Sequence, residues 1–517
     1  MPKSYDDIRQ KLDDLERRVL DGDPRSVDRQ HAEGKWTARE RIGKLVDPGS
    51  FTEEFMLAET QCSDFGMAEK REPTDGVVIG YGKIGGRSVY VFAQDRTVLA
   101  GTVGSAHGEK ISYAVETARK LGIPSIGLYE SLGARVQEGL DATHVIGKMF
   151  FQNSITSGVV PQISAIMGPC IGVAAYGPAL TDFIFMVKGT GQMFITSPPV
   201  IKAVTGEEVT MEQLGGWKVH SEVSGVADVV CDNDEDCLEG IRKLLSFLPQ
   251  NSWDPAPRLP SKDSPGRQLE DVESIVPTDP RKLYNIKDVI HRIVDEGDFF
   301  EVKARFARNI VVGFGRLDGH TTGFVANQPL FLGGSLDVDS SDKASRFIRF
   351  CDAFNIPIVT LVDMPGYLPG SKQEQKGIIR HGAKMLYAYA EATVPKFTVY
   401  LRKGYGGAKQ ALCTREMGAD QVFLWPGVEL AVMGASGAVS FLYRQEMEQA
   451  ADPEKVRRER IEEYSERFSG PFQALAKQFA QAAIQPRETR ARLIRALETF
   501  QNKKEERPRR KHGIMPV

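Results

Sequence analysis

At 517 residues the chain suggests two to four domains and is too long for one compact core, which rules out a binding peptide or a small module. With 66 Lys and Arg against 69 Asp and Glu, a net charge of −3, 41% hydrophobic and 26% charged residues, it has the make-up of an ordinary soluble globular protein. Charges this balanced leave no molecule-wide field to hold a nucleic acid or an anionic membrane, which argues against a dedicated DNA or RNA binder.

The first residues, Met-Pro-Lys-Ser-Tyr-Asp-Asp, are charged rather than apolar, and residues 5 to 20 predict an amphipathic helix with a solvated or docking face. No run of 18 or more apolar residues occurs, so a cytoplasmic protein is expected. β-rich runs follow at Ser88 to Ala93, Ser125 to Tyr129 and Ile163 to Met167, separated by helical patterns such as His107 to Leu121. Residues 248 to 280 then carry Pro249, Pro255, Pro257, Pro260, Pro265, Pro277 and Pro280 among Ser, Asp and Asn, a linker composition. Beyond it the alternation resumes with a helical pattern at Asp342 to Phe354 and β-rich runs at Ile358 to Val362, Phe397 to Leu401 and Val422 to Trp425. Such βαβ alternation implies an α/β fold with mostly parallel sheets and crossover helices. Asp452-Pro453-Glu454 supplies an N-cap, a helix-start proline and a first-turn acid for a second charged helix over 453 to 468.

The two stretches repeat each other. Segment 82 to 95, GKIGGRSVYVFAQD, resembles 315 to 328, GRLDGHTTGFVANQ, and 122 to 129, GIPSIGLY, resembles 355 to 362, NIPIVTLV, both at an offset of 233. A third pair begins at Val160-Pro161 and Val394-Pro395, offset 234, and leads into Gly172-Val173-Ala174 and Gly406-Gly407-Ala408. Three pairs at nearly one offset predict two homologous domains, 1–258 and 283–517, joined by a linker at 259–282.

The six cysteines, at 62, 170, 231, 237, 351 and 413, have no CxxC spacing and no histidine at metal-ligand distance, and read as buried thiols with no metal. No nucleophile elbow, HExxH, P-loop or dinucleotide-binding GxGxxG appears. What recurs is a strand running into small residues, at 167–174 and 403–408. A Gly-rich turn between a strand and a helix leaves backbone N–H groups unpaired and aimed outward, and an oxyanion hole can be made from main chain in this way. Either loop alone is better explained by turn geometry or close helix packing; two related loops predict two oxyanion holes, one for each of two carbonyl-bearing reactants. His107, His220 and His381 lie near small-residue segments and read as hydrogen-bonded structural residues, with proton transfer as the alternative. Asp337 and Asp339 read as helix caps; Asp363 with Glu374 is a candidate acid/base pair.

Taken together, Gly133-Ala134-Arg135-Val-Gln-Glu-Gly139, Met167-Gly-Pro-Cys170, Leu214-Gly-Gly-Trp217 with His220 and Ser224-Gly-Val226, Asp352 to Pro357, Gly377-Ile-Ile-Arg380, Ala392-Thr-Val-Pro395, Tyr405-Gly-Gly-Ala408 and Val432 to Ala438 resemble the carboxyltransferase (β) subunit of biotin-dependent acyl-CoA carboxylases, propionyl-CoA carboxylase type. The resemblance runs from about residue 30 to Arg510–Gly513. It implies two crotonase-like domains of the ClpP/crotonase superfamily, acyl-CoA bound mainly on the N-half and carboxybiotin on the C-half, and a hexameric core. The acyl thioester oxygen would meet the N–H groups of Gly172 and Val173, and the biotin ureido oxygen those of Gly407 and Ala408. Gly133, Ala134, Arg135, Lys409 and Gln410 would border the substrates. In the implied mechanism carboxybiotin releases CO2, the remaining biotin removes the acyl α-proton, and the thioester enolate captures CO2, so the cofactor carries the difficult chemistry. The chain has no biotinyl-lysine motif and no ATP-binding loop, so biotin is expected on a partner carrier polypeptide served by its own biotin carboxylase. Where the family has Tyr and an acidic or aliphatic residue after Tyr-Gly-Gly-Ala, Lys409 and Gln410 stand here, which points either to a polar or larger acyl group than propionyl or to a Lys409 turned to solvent or to a CoA phosphate.

The competing readings are the decarboxylase version of the reaction, a crotonase-like acyl-CoA hydratase or hydrolase, and a non-enzymatic scaffold. A hydratase needs carboxylates beside the oxyanion loop, and neither 168–178 nor 402–412 contains Asp or Glu.

Overall fold

The computed structural model describes residues 4–279, 282–468 and 470–517. The chain forms two compact units, Met1–Asp254 and Pro255–Val517. Each is built around one eight-stranded sheet.

In the first unit the strands are β1 (Thr52–Glu54), β2 (Val77–Ile84), β3 (Arg87–Gln94), β4 (Ser125–Ser131), β5 (Gln162–Ile171), β6 (Phe183–Val187), β7 (Gln192–Phe194) and β8 (Val229–Cys231). Their order is β1-β2-β3-β4-β5-β6-β8, with β7 added along the end of β5. β1, β2 and β3 pair antiparallel; from β3 onward the pairing is parallel. The second unit repeats the plan with β9 (Phe299–Val302), β10 (Ile310–Leu317), β11 (His320–Asn327), β12 (Ile358–Met364), β13 (Lys396–Tyr405), β14 (Gln421–Leu424), β15 (Glu429–Ala431) and β16 (Ala482–Ala483). Their order is β16-β14-β13-β12-β11-β10-β9, with β15 beside the end of β13.

All seven residues of β4 and all seven of β12 are buried, as expected of parallel strands covered on both faces. Helices Ser105–Leu121 and Leu140–Thr156 cover the first sheet, and Val338–Ala353 and Ile378–Glu391 occupy the same places in the second. Ile111, Ala114, Val115 and Ala118 recur at helical spacing and turn one face of the first of these into the core with Phe92, Tyr129 and Ile166. Residues 255–279 pack on the second unit: Leu269, Val272 and Val276 join Ile286, Ile290 and Phe324 in its core.

The charged helices form at Tyr5–Asp21, with a capping box on Ser4, and at Pro453–Phe468, which buries no residue. Among the described residues no helix is long and apolar enough to cross a membrane, and no three His, Cys, Asp or Glu side chains are placed to hold a metal. All six cysteines are free; five are buried and Cys62 is half-buried.

Candidate oxyanion sites

β5 and β13 each run ten residues, further than their apolar cores alone predict, because a register shift absorbs Gly168-Pro169 in one and Arg402-Lys403 in the other. Both continue into a glycine that requires the left-handed backbone, Gly172 at φ 69° and Gly406 at φ 65°. A 3₁₀ turn follows in each unit, Gly172–Ala175 and Gly407–Leu412. The first N–H groups of such a turn have no acceptor within it, so both units present main-chain donors at the end of a central strand. Gly406 donates its own N–H to the Ala431 carbonyl at 3.0 Å, so the donors that follow belong to Gly407 and Ala408. A Cβ built on Gly407 would meet no atom within 4 Å, whereas Val173, at the corresponding step of the first unit, carries a side chain that is 39% exposed.

The 130–139 loop lies against the first of these turns. Gly133 has φ 92°, and a Cβ there would come within 2.8 Å of the Ile171 carbonyl, one residue before Gly172. The loop is bridged to Val103: Val103 N–H donates to Gly133 O at 2.8 Å, Arg135 N–H to Val103 O at 2.9 Å, and Ala134 pairs with Val103 in an isolated bridge. Arg135 is buried. Its guanidinium donates to Asp75 Oδ1 at 2.5 Å, Glu138 Oε1 at 2.8 Å and the Thr102 carbonyl at 2.8 Å, which makes it the anchor of the loop. Burial raises the Asp75 carboxyl above its ordinary pKa even against the opposing charge of Arg135. In the second unit Gln410 accepts a hydrogen bond from the Thr414 hydroxyl at 2.5 Å, and Lys409 beside it is half-buried.

The three histidines near the small-residue segments are each held by hydrogen bonds. His107 is enclosed between Gln94 Nε2 and the Asp75 carbonyl, and burial pushes its pKa down to about 3. His220 lies between Ser224 Oγ at 2.9 Å and the Met193 carbonyl at 2.6 Å, with its pKa lowered by burial. His381 pairs with Asp342. Asp337 caps helix Val338–Ala353 through the Ser340 N–H. Asp363 and Glu374 do not form a pair: Asp363 is buried on Arg402, and Glu374 is exposed in helix Ser371–Gln375. Sequence reasoning passed over Glu130, which is fully buried with Lys35 and Arg41. Its only signal was its position in the repeat, 233 residues before Asp363.

Two crotonase-like α/β units, each ending a central strand in a positive-φ glycine and a 3₁₀ turn, give the chain the architecture of a duplicated carboxyltransferase. The chain belongs to the carboxyl transferase family, whose carboxyl transferase domain matches residues 29–515. It is 50% identical over 517 residues, all of both chains, to the propionyl-CoA carboxylase carboxyltransferase subunit of Haloferax mediterranei. To the methylmalonyl-CoA decarboxylase subunit alpha of Propionigenium modestum it is 48% identical over 511 residues, 98% of this chain and 99% of the relative. A solved structure of transcarboxylase 12S, a hexamer with methylmalonyl-CoA bound, superposes with a TM-score of 0.97 at 47% identity, covering 100% of this chain and 99% of that one. The chain is thus a carboxyltransferase of the kind found in biotin-dependent acyl-CoA carboxylases and decarboxylases.

Proposed function

We propose that this chain moves a carboxyl group between carboxybiotin carried on a partner polypeptide and the α-carbon of an acyl-CoA. The first unit holds the thioester oxygen on the N–H groups of Gly172 and Val173, and the second holds the ureido oxygen of biotin on those of Gly407 and Ala408. The observation that carries the reading is the repeated turn: two glycines with left-handed backbone, Gly172 and Gly406, each at the end of the same strand of its sheet and each leading into a 3₁₀ turn whose first N–H groups have no acceptor within it. Both reactants develop negative charge on a carbonyl oxygen, and paired N–H donors fixed in advance are what such an oxygen needs. Carboxybiotin supplies the carboxyl group and the base when bound. The residues of this chain orient the two carbonyls and exclude water.

Gly133, Ala134 and Arg135 support the first turn, and Lys409 and Gln410 line the approach to the second, where a half-buried ammonium and amide favour an acyl group with a polar end. Arg135 acts here as an anchor rather than a CoA-binding cation, since its donors are already engaged by Asp75, Glu138 and Thr102. Val136 and Leu140, in and just after the 130–139 loop, are over four-fifths exposed in the single chain, which supports a homo-oligomer, with the hexamer of transcarboxylase 12S as the expected state.

The test is to supply free biotin with malonyl-, methylmalonyl- and longer carboxyacyl-CoAs and follow loss of the carboxyl group. Biotin-dependent decarboxylation of at least one of them is expected; none at any biotin concentration, with folded oligomer, overturns the reading. The match to methylmalonyl-CoA decarboxylase supports a second reading, in which the cell runs the transfer from carboxyacyl-CoA to biotin. Co-purification with a membrane-embedded partner would select it.

A further inference from the structure

Each donor strand carries a bulge, and each bulge faces a buried carboxylate. In the first sheet the β4/β5 register runs Tyr129↔Ile166 and then Ser131↔Cys170, so the break falls at Glu130. In the second it runs Val362↔Tyr400 and then Met364↔Gly404, so the break falls at Asp363. The two acids are therefore equivalent in the repeat, and they are 0% and 1% exposed. A carboxylate this deep is retained only with partners, because burial strips the water that would otherwise solvate its charge.

The partners tie together different pieces in the two units. Glu130 accepts from Lys35 Nζ at 2.6 Å, Arg41 at 2.6 Å and Gln30 Nε2 at 2.8 Å, so it fastens residues 30–41 to the sheet. Facing it on β5 is Gly168; a Cβ there would overlap the Glu130 carboxyl, so the carboxylate lies directly on the bulge, four residues before Gly172. The equivalent position on β13 is Arg402, four residues before Gly406. Its Nε donates to Asp363 Oδ2 at 3.0 Å, and its terminal nitrogen reaches the carbonyls of Asp279 and Lys282, both at 2.9 Å. Each unit thus clamps the chain segment that precedes its sheet under the strand that ends in the donor turn. One draws its cations from that segment, the other from the strand itself.

We propose that Glu130 and Asp363 are positioning residues for the two oxyanion turns: each fixes the bulge that aims the end of its donor strand, Glu130 for the thioester side and Asp363 for the biotin side. The inference rests on the oxyanion reading above. A bulge re-aims the residues beyond it, and a donor displaced by a fraction of an ångström loses much of its effect on a developing oxyanion.

The test uses the intact oligomer, the variants E130Q and D363N, and infrared difference spectra of two bound carbonyls, the thioester of carbon-13-labelled propionyl-CoA and the ureido group of free biotin. In the wild type both stretches should shift to lower frequency. E130Q should lose the thioester shift and keep the biotin shift, D363N the reverse, each with kcat for decarboxylation down at least tenfold. E130D and D363E, which keep the charge and move the carboxylate, should each weaken the same shift as the neutral variant. They carry the test should either neutral variant fail to fold. Both shifts intact in both variants, or both lost together, overturns the proposal. Gly407→Pro separates the layers: if it leaves the biotin shift unchanged, the oxyanion reading itself is wrong, whereas if it removes the shift and D363N does not, only the positioning role fails.

Discussion

Replacing Gly133 by alanine isolates the support beneath the first donor turn. The residue sits at φ 92°, and the added Cβ would stand 2.8 Å from the Ile171 carbonyl oxygen, a separation that real Cβ atoms essentially never show. The left-handed backbone costs a non-glycine residue roughly 1–2 kcal/mol. Relieving the contact means moving the Ile171 carbonyl by about half an ångström, and Gly172 follows it in the chain. Since misplacement by about 1 Å can cost a hundredfold in rate, a shift of half that size implies a loss of roughly tenfold, or about 1.4 kcal/mol. Gly86→Ala supplies the control: Gly86 has φ 77° in the β2–β3 hairpin, with nothing within 4 Å of its Cβ position, so it carries backbone strain without the contact. In units of this size about 1 kcal/mol lowers Tm by roughly 2–4 °C. Differential scanning fluorimetry should therefore show comparable losses for both variants, and the free-biotin decarboxylation assay should show a rate loss for Gly133→Ala alone. Equal turnover in the two folded variants would refute the argument that Gly133 sets the geometry of the turn.

Gly407→Pro removes one proposed biotin donor; kcat should fall by about a hundredfold or more with little change in Tm, as steady-state assays and scanning calorimetry would show. Arg135→Ala breaks a buried ion pair with Asp75 and should cost about 3–5 kcal/mol, read by urea unfolding, and a raised KM for acyl-CoA at unchanged stability would instead make Arg135 a CoA ligand. Burial pushes the Lys343 ammonium from its ordinary 10.5 down to about 7. Between those values the unfolded chain keeps a proton that the folded chain has shed, so stability should rise with pH above about 7, by up to about 1.4 kcal/mol per unit from this group, and stay flat below. Lys343→Met should flatten that slope in urea titrations at pH 7, 8 and 9. Exchanging Lys409 and Gln410 for Tyr and Asp should raise kcat/KM for propionyl-CoA relative to acyl-CoAs with polar ends; an unchanged ratio would show that these side chains do not read the acyl group.

The strand cores were legible because each is a run of β-branched and aromatic residues interrupted by helical periodicity: Ser125 to Tyr129 and Ile358 to Val362 were expected and appear as Ser125–Ser131 and Ile358–Met364. The helices were legible to within a turn, since Ser105–Leu121 and Val338–Ala353 begin only a few residues before their periodic patterns do. The continuation of β5 through Met167-Gly-Pro-Cys was not, because glycine and proline read as a turn when the bulge that accommodates them depends on a neighbouring strand. Nor were the partners of Glu130 and Arg135: Lys35 and Arg41 lie 95 and 89 residues away from Glu130, Asp75 lies 60 from Arg135, and a single acid in an apolar run carries no local sign of its ion pair.

The repeat also bears on how the donors correspond. Gly172-Val173 and Gly407-Ala408, matched as motifs, stand 235 residues apart, yet β5 and β13 begin at Gln162 and Lys396, 234 apart. Gly172 therefore corresponds to Gly406, Val173 to Gly407 and Ala174 to Ala408, and the shared positive φ of Gly172 and Gly406 supports that register. Gly406 has already given its N–H to the Ala431 carbonyl. On the oxyanion reading the first turn opens one step earlier in the repeat, at Gly172 rather than at the equivalent of Gly407, so its leading N–H groups are those of Gly172 and Val173 against those of Gly407 and Ala408, and Val173 stands at the step of Gly407. Its side chain need not impair donation, because the equivalent Cβ direction at Gly407 points into open space. On the same reading the branched chain narrows the mouth beside the thioester carbonyl, while glycine leaves the biotin side clear. On that reading the two units share the plan of bulge, buried carboxylate and donor turn, and differ at the step where Val173 carries an exposed side chain and Gly407 carries none.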